Sequence, residues 1–452
     1  MLLKARWVLP ITGEAIEHGA VLVDGDRIVA VGPASEISLG EESAPWRDFG
    51  EAVLLPGLVN AHSHLELTVM RGMLEDDDFR TWITRLTTIK LERMTREDLL
   101  DSARLGALEA VRAGVTCLAD TCDSGVSVEA LTDAGLRGIV YQEVFGPDPA
   151  QADASIRSLV EKLDRLEASP GIGGLVRVGV SPHAPFTVSA ELFRRVTKLS
   201  LERLLPMAIH AAESVAERNF LFDGSGPFGE RFRDPGIAWD PPGESTIAWL
   251  DSLGVLAARP LLIHAVQANP GDLELIGSAN ASVVHCPKSN AKLGHGVAPV
   301  RDMLANGLRV GIGTDSVASN NLCDILDEAR SAVFMARAAA RDAGAMSARK
   351  ALELATIGGA EALGLERDIG SIEPGKLADL CVVSLDGLHA SPIHDVEAAL
   401  VFSCAAKDVA MTMVGGVAVY ERDAGGATLL DEDRLLARLG EIGRAISAPT
   451  SG

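Results

Sequence analysis

Aromatic residues make up only 4% of this 452-residue sequence, so its core must be filled by leucine, valine, isoleucine and alanine. No apolar run approaches the roughly 18 residues of a membrane span. Positive charge is short as well. Lysine plus arginine number 41 against 63 aspartates and glutamates, a net −22 that opposes both nucleic-acid binding and a polybasic hold on membranes. The six cysteines (Cys117, Cys122, Cys286, Cys323, Cys381, Cys404) are scattered without framework spacing, as expected of free thiols in a reducing cytoplasm. The opening Met-Leu-Leu-Lys-Ala-Arg-Trp has neither an uninterrupted apolar stretch nor a small-residue cleavage site, so no secretory signal is expected.

What is present is an ordinary globular balance, 47% hydrophobic and 23% charged, on a chain too long for one small domain. Both ends read as strands and turns. Near the N-terminus the runs 20–23 and 28–31 flank Asp24-Gly25, a pair suited to a type I′ hairpin turn. Near the C-terminus 380–383, 411–414 and 417–420 have the same texture, the last two flanking Gly415-Gly416.

Between 54 and about 365 apolar runs alternate with amphipathic stretches such as 96–113, the pattern of βαβ units. Eight runs end in polar residues: 53–60, 115–119, 139–141, 176–180, 206–209, 260–263, 281–284 and 309–312. Eight such units predict a (β/α)₈ barrel, with chemistry at the strand C-terminal ends. A doubly wound sheet would carry a glycine-rich phosphate turn after its first strand; here that strand ends in His62-Ser63-His64.

Residues two apart on a strand point the same way, so His62 and His64 can face one point. As an isolated pattern His-x-His is structural roughly half the time. However, His210, His264 and Asp315 end three other predicted strands. Three histidines and one carboxylate suit Zn²⁺ with a position left for water.

The stretches Pro56-Gly57-Leu58-Val59-Asn60-Ala61-His62-Ser63-His64-Leu65, Ser181-Pro182-His183-Ala184-Pro185, Ile209-His210-Ala211-Ala212-Glu213 and Leu262-Ile263-His264 carry a family resemblance. So do His285-Cys286-Pro287-Lys288-Ser289-Asn290-Ala291-Lys292-Leu293-Gly294 and Gly313-Thr314-Asp315-Ser316-Val317-Ala318-Ser319-Asn320-Asn321. The chain resembles the amidohydrolase superfamily, in the branch of cytosine, guanine, adenosine and S-adenosylhomocysteine deaminases and triazine chlorohydrolases. The resemblance implies a barrel over 56–368, a composite β-sandwich from 1–55 and 369–425, and a C-terminal helix and tail over 426–452.

It also implies that His62, His64, His210 and Asp315 bind one metal, Zn²⁺ foremost, with Fe²⁺ or Mn²⁺ compatible. Glu213 would shuttle a proton to a ring nitrogen. His264 would orient or deprotonate metal-bound water, and Asp315 would accept its proton. Relatives with two metals bridge them by a carboxylated lysine after strand four; here that strand ends in Ser181-Pro182-His183, so one metal is expected. Substrate contacts are expected from His183, Glu66, Trp82, Gln142 and Ser319. His285 reads as a group that contacts a ligand or as packing, Cys286 as a buried apolar residue, and His295 as a loop residue that closes over the site or is merely exposed.

Where branch members have an arginine after strand three this chain has Gln142 and Glu143, leaving no guanidinium to grip a homocysteine carboxylate. Glu92 is a candidate for a ribose. The expected activity is deamination of an adenine-type nucleoside (adenosine, S-adenosylhomocysteine or aminodeoxyfutalosine) by metal-bound hydroxide. Alternatives are a triazine-type chlorohydrolase or cyclic amidohydrolase, a guanine, cytosine or pterin deaminase, and a metal-free ligand-binding barrel. The expected partner is a small heterocycle, with no nucleic acid or membrane, and the expected assembly a homodimer.

Overall fold

The apolar run at 53–60 does not make one strand. Pro56 has no N–H to give a ladder, and at Gly57 any side chain would collide with that of Thr116. The chain therefore leaves one sheet and enters another between these residues. The structure, a computed structural model, describes residues 1–37, 45–233, 237, 239–424 and 430–447.

The strands are β1 (Leu2–Val8), β2 (Ile16–Asp24), β3 (Arg27–Pro33), β4 (Trp46–Asp48), β5 (Ala52–Pro56), β6 (Leu58–Ser63), β7 (Val115–Cys122) and β8 (Arg137–Val144). They continue as β9 (Val176–Pro182), β10 (Ala208–Ala211), β11 (Leu261–His264), β12 (Ser282–His285), β13 (Arg309–Ile312), β14 (Leu380–Ser384), β15 (Val409–Val414) and β16 (Val417–Glu421).

β6 to β9 form one parallel four-stranded sheet and β10 to β13 another. Their edges meet twice. Val180 of β9 bridges Met207 just before β10, and Ser63 of β6 bridges Asp315 just after β13, both in parallel sense. Eight parallel strands thus run round a ring, and their C-terminal ends share one rim. Seven of these lie on runs expected from the sequence, and the eighth, β6, takes up only the second half of the expected run 53–60. Helices connect them, as at Arg96–Arg112, which starts at a capping box in which Thr95 and Asp98 each accept the other's backbone N–H.

The terminal strands pair into a single mixed sheet of order β16-β15-β14-β5-β1-β2-β3, with β4 beside β1. The β2–β3 hairpin is displaced by one residue from the sequence expectation. Asp24 pairs with Arg27, so Gly25 and Asp26 make the turn. Of these two only Gly25 has a positive φ (56°), which fits a type II′ turn; type I′ needs both. Arg137 on β8 ties the ring to the terminal sheet through a bidentate pair with buried Asp379, at 2.8 and 3.1 Å.

Of the expected C-terminal segment, Glu432–Ser447 is a helix, while 425–429 and 448–452 lie outside the described residues. Its apolar face (Leu435, Leu439, Ile442, Ile446) packs in one cluster with Trp82 and Leu86 of the helix Phe79–Arg93. That helix walls the cavity described next. Among the described residues no helix is long and apolar enough to cross a membrane, and all six cysteines are free and buried.

Candidate active site

Strand alternation sends His62 and His64 to the same side of β6, where their rings meet edge to face with centroids 4.9 Å apart. The Ser63 hydroxyl and the Leu65 N–H both donate to Asp120 Oδ1, at 2.8 and 2.7 Å, which fixes the backbone carrying the pair. His210 at the end of β10 donates Nδ1–H to the His183 carbonyl (3.1 Å), leaving its Nε2 free. Asp315, after β13, accepts from the hydroxyls of Ser289 and Ser319 on Oδ2 and turns Oδ1 to the histidines.

The close approach of β13 to β6 requires Gly313, where a Cβ would stand 2.6 Å from the His62 nitrogen. Strain collects at the rim. Ala212, His264, Ala265 and Asp315 all have positive φ, 47° to 76°, without being glycine.

The donor atoms converge. His62 Nε2 is 3.3 Å from Asp315 Oδ1, His64 Nε2 is 3.5 Å from the same oxygen, and the Nε2 atoms of His64 and His210 are 3.3 Å apart. Ligands about 2.1 Å from a tetrahedral Zn²⁺ lie about 3.4 Å from each other. His62 Nε2 is buried without a hydrogen-bond partner, as an unfilled ligand would be. The residues fit a single divalent metal ion. The fourth ring strand, β9, contains no lysine to bridge a second.

Electrostatics favours the ligand forms. Burial lowers the pKa of His62, and that of His64 and His210 well below the histidine range, keeping the imidazoles neutral. Burial alone would raise Asp315, but the His62 ring facing its Oδ1, with His264 and His64, holds it well below the carboxylate range.

Beside this cluster His264 Nδ1–H donates to Asn290 Oδ1 (3.0 Å), which turns its Nε2 to the site. That Nε2 lies 3.6 Å from Glu213 Oε1. Glu213 sits on a turn braced by buried Glu217, whose carboxylate accepts the N–H groups of Ala212 (2.8 Å) and Glu213 (3.1 Å) and the Thr246 hydroxyl (2.7 Å). Burial opposes ionisation of Glu213, yet His264 and His295 hold its pKa below the usual value.

A cavity of about 410 Å³ opens over these groups, lined by His64, His210, Glu213, His264 and Asp315 at its foot. Of the expected substrate contacts, His183, Glu66 and Trp82 line it. Gln142 and Ser319 do not. Gln142 Nε2 is turned to the carbonyls of Asp123 and Glu143, and Ser319 is committed to Asp315. Glu92 is exposed on the outer side of its helix. His183 also braces its loop through Thr187 Oγ1 (2.8 Å). His285 is buried off the cavity with Nδ1 unpartnered, and Cys286 is wholly buried.

His295 is not exposed: its Nε2 stands 3.2 Å from Glu213 Oε1. Sequence reasoning also missed Lys90, paired on the cavity wall with Glu66 and Asp123, and the placement of Glu143 there. The signal for Glu143 was strand alternation, since it and Gln142 face opposite ways.

Two buried histidines outside the ligand set make stability pH-dependent. Burial lowers the pKa of His183 to about 4 and of His285 to about 3. Between pH 6.5, where the unfolded chain begins to take protons on these rings, and those values, unfolding binds protons that the native state refuses. Stability present above pH 6.5 is therefore lost as pH falls, on the order of 3 kcal/mol for His183 and 5 kcal/mol for His285. Denaturant unfolding of His285→Gln between pH 7 and 4.5 should show a slope against pH shallower by about one proton; an unchanged slope would exclude a neutral buried His285.

A model of the amidohydrolase family matches residues 53–419, and one of a bacterial imidazolonepropionase-like composite domain matches 19–38. The chain is 33% identical over 441 residues to a 5-methylthioadenosine/S-adenosylhomocysteine deaminase of Moorella thermoacetica, covering 97% of this chain and 98% of that one. An adenosine deaminase from Xanthomonas campestris, solved with bound zinc, is similar in structure with a TM-score of 0.86, 29% identity and 98% of each chain covered. The fold is also that of the zinc-complexed atrazine chlorohydrolase of Arthrobacter aurescens, with a TM-score of 0.85 at 24% identity over 98% and 99% of the two chains. With a ring of eight parallel strands, a histidine-rich rim and a family match over most of its length, the chain belongs to the amidohydrolase family.

Proposed function

We propose that this chain is a metal-dependent hydrolase of carbon–nitrogen bonds that deaminates an adenine-type nucleoside. The observation that carries the reading is the position of Glu213, whose Oε1 lies 3.6 Å from His264 Nε2, beside the ligand set rather than in it. A carboxyl held there can protonate a ring nitrogen while water attacks the adjacent amine-bearing carbon. The likeness to enzymes named for methylthioadenosine and adenosine supports an adenine ring.

In this reading His62, His64, His210 and Asp315 hold the metal. A divalent ion bound there supplies Lewis acidity that draws the pKa of water from about 16 to about 7. Of the two protons of the attacking water, one reaches the ring nitrogen through Glu213. The other is taken by the Asp315 carboxylate, which its histidine neighbours keep ionised, and passed to the departing amine. His264 Nε2, set by Asn290, orients the water. Ammonia leaves as the ring carbonyl forms.

The cavity has room beyond the base, and its wall supports a nucleoside. Trp82 Nε1 is buried without a partner, a donor free for substrate. Lys90 is already paired with Glu66 and Asp123, and Glu143 Oε1 has no partner, so a carboxylate tail meets acid rather than a free cation. This favours nucleosides without such a tail. We read the strand ring as the (β/α)₈ barrel (56–368) and the terminal strands (1–55, 369–425) as the composite β-sandwich. The free buried cysteines fit the cytoplasm, and a two-fold homodimer is the commonest closed assembly.

The test is ammonia release over adenosine, 5′-methylthioadenosine, S-adenosylhomocysteine, aminodeoxyfutalosine, guanine, a chlorotriazine and a cyclic amide. An adenine nucleoside is expected to lead. Chloride release from the triazine without ammonia from any nucleoside would replace deamination with dechlorination.

A further inference from the structure

His295 lies on a loop between Gly294 and Gly296, both with positive φ (71° and 108°), a backbone that carries one ring inward and returns at once. The loop is pinned on both sides of that ring. The His295 N–H donates to the Asn290 carbonyl (2.8 Å), and its own carbonyl accepts from Gln267 Nε2 (3.2 Å). The ring packs edge to face on Phe79, centroids 4.6 Å apart, and its Nε2 stands 3.2 Å from Glu213 Oε1. At that distance the two groups face each other, but the nitrogen is out of line for a hydrogen bond, and it is buried with no other hydrogen-bond partner. A small turn of the ring aligns it, as happens when catalytic contacts tighten around substrate.

Asn290 therefore sets both imidazoles that flank the Glu213 carboxylate. Its side chain accepts from His264 and its backbone carbonyl from His295. One carboxylate oxygen is held between two ring nitrogens, 3.6 and 3.2 Å away. Phe79, which packs against the same ring, also lines the cavity.

We propose that His295 is a positioning residue that holds the Glu213 carboxylate in the rotamer facing the substrate ring, and that Phe79 braces it there from the cavity wall. The inference rests on the reading of Glu213 as the proton shuttle. A carboxylate free to swing by about 1 Å loses on the order of a hundredfold in rate without losing substrate affinity. The interaction belongs to kcat rather than to KM.

The experiment measures kcat and KM of the zinc-loaded enzyme for 5′-methylthioadenosine in His295→Ala, His295→Gln, Phe79→Leu and Glu213→Gln. His295→Ala should lower kcat about tenfold to a hundredfold with KM within about threefold, at unchanged zinc content and unfolding temperature. His295→Gln, which keeps a donor at the same reach, should recover most of the loss, and Phe79→Leu should show a smaller fall of the same kind. Wild-type kcat in His295→Ala alongside an inactive Glu213→Gln would overturn the inference alone. So would a loss that appears in KM, or one that glutamine does not rescue. Wild-type turnover in Glu213→Gln would instead overturn the shuttle reading and this inference with it.

Discussion

Replacing Glu213 with glutamine lowers kcat by about a hundredfold to ten-thousandfold, while zinc content and KM change little. The amide has the size of the carboxyl it replaces and loses only the ability to give and take a proton, so the buried turn at 211–214 keeps its shape. Glu217 still receives the two backbone N–H groups and the Thr246 hydroxyl that brace it. The residues proposed to hold the metal are untouched, because Glu213 stands beside the groups that could bind an ion. Steady-state ammonia release with metal analysis on the same sample checks the expectation. Turnover within about threefold of wild type would remove Glu213 from proton transfer and leave Asp315 and His264 as the groups able to carry it. The direction of its pKa fits the role. Held low by His264 and His295 against the burial that opposes ionisation, Glu213 is a carboxylate at neutral pH, ready to take the proton it later donates.

The parts of this site that could be read from sequence share one property: each sits at the end of a strand in an eightfold pattern. His62, His64, His210, His264 and Asp315 follow apolar runs that the ring puts side by side, so strand register alone brings them to one rim. What could not be read depends on long loops. Lys90 reaches the cavity from a helix that starts after the loop of strand β6, and His295 reaches Glu213 only because two glycines fold its loop back. Single-residue errors had their own cause. In the Gln142-Glu143 pair, alternation turns only Glu143 to the cavity, and Ser319, one helical turn beyond Asp315, spends its hydroxyl on that carboxylate. The break at Pro56-Gly57 was hidden because both halves of the run are apolar, although they belong to different sheets.

Removing the metal with a chelator abolishes turnover, and adding Zn²⁺ back restores it; in His62→Ala the restoration fails. The physical reason lies in the packing of the donors. Three imidazoles and a carboxylate crowd together, with His62–Asp315, His64–Asp315 and His64–His210 donor atoms 3.3 to 3.5 Å apart, and His62 Nε2 has no hydrogen-bond partner. An ion that binds the folded state alone adds about 4 kcal/mol of stability at a thousandfold excess over its Kd. For a chain of this length that corresponds to a rise of roughly 4 °C in Tm. Because burial keeps His64 and His210 neutral well below pH 6.5, protons compete for the site only at pH values lower than for exposed histidines. Zinc occupancy should therefore persist through pH 6 and fall in more acid solution, and activity with it. Thermal unfolding of chelated and zinc-loaded protein, with turnover measured on each, decides the matter. Full activity in the chelated protein, with zinc content verified as zero, would remove the metal from the mechanism and leave His62 a buried structural histidine.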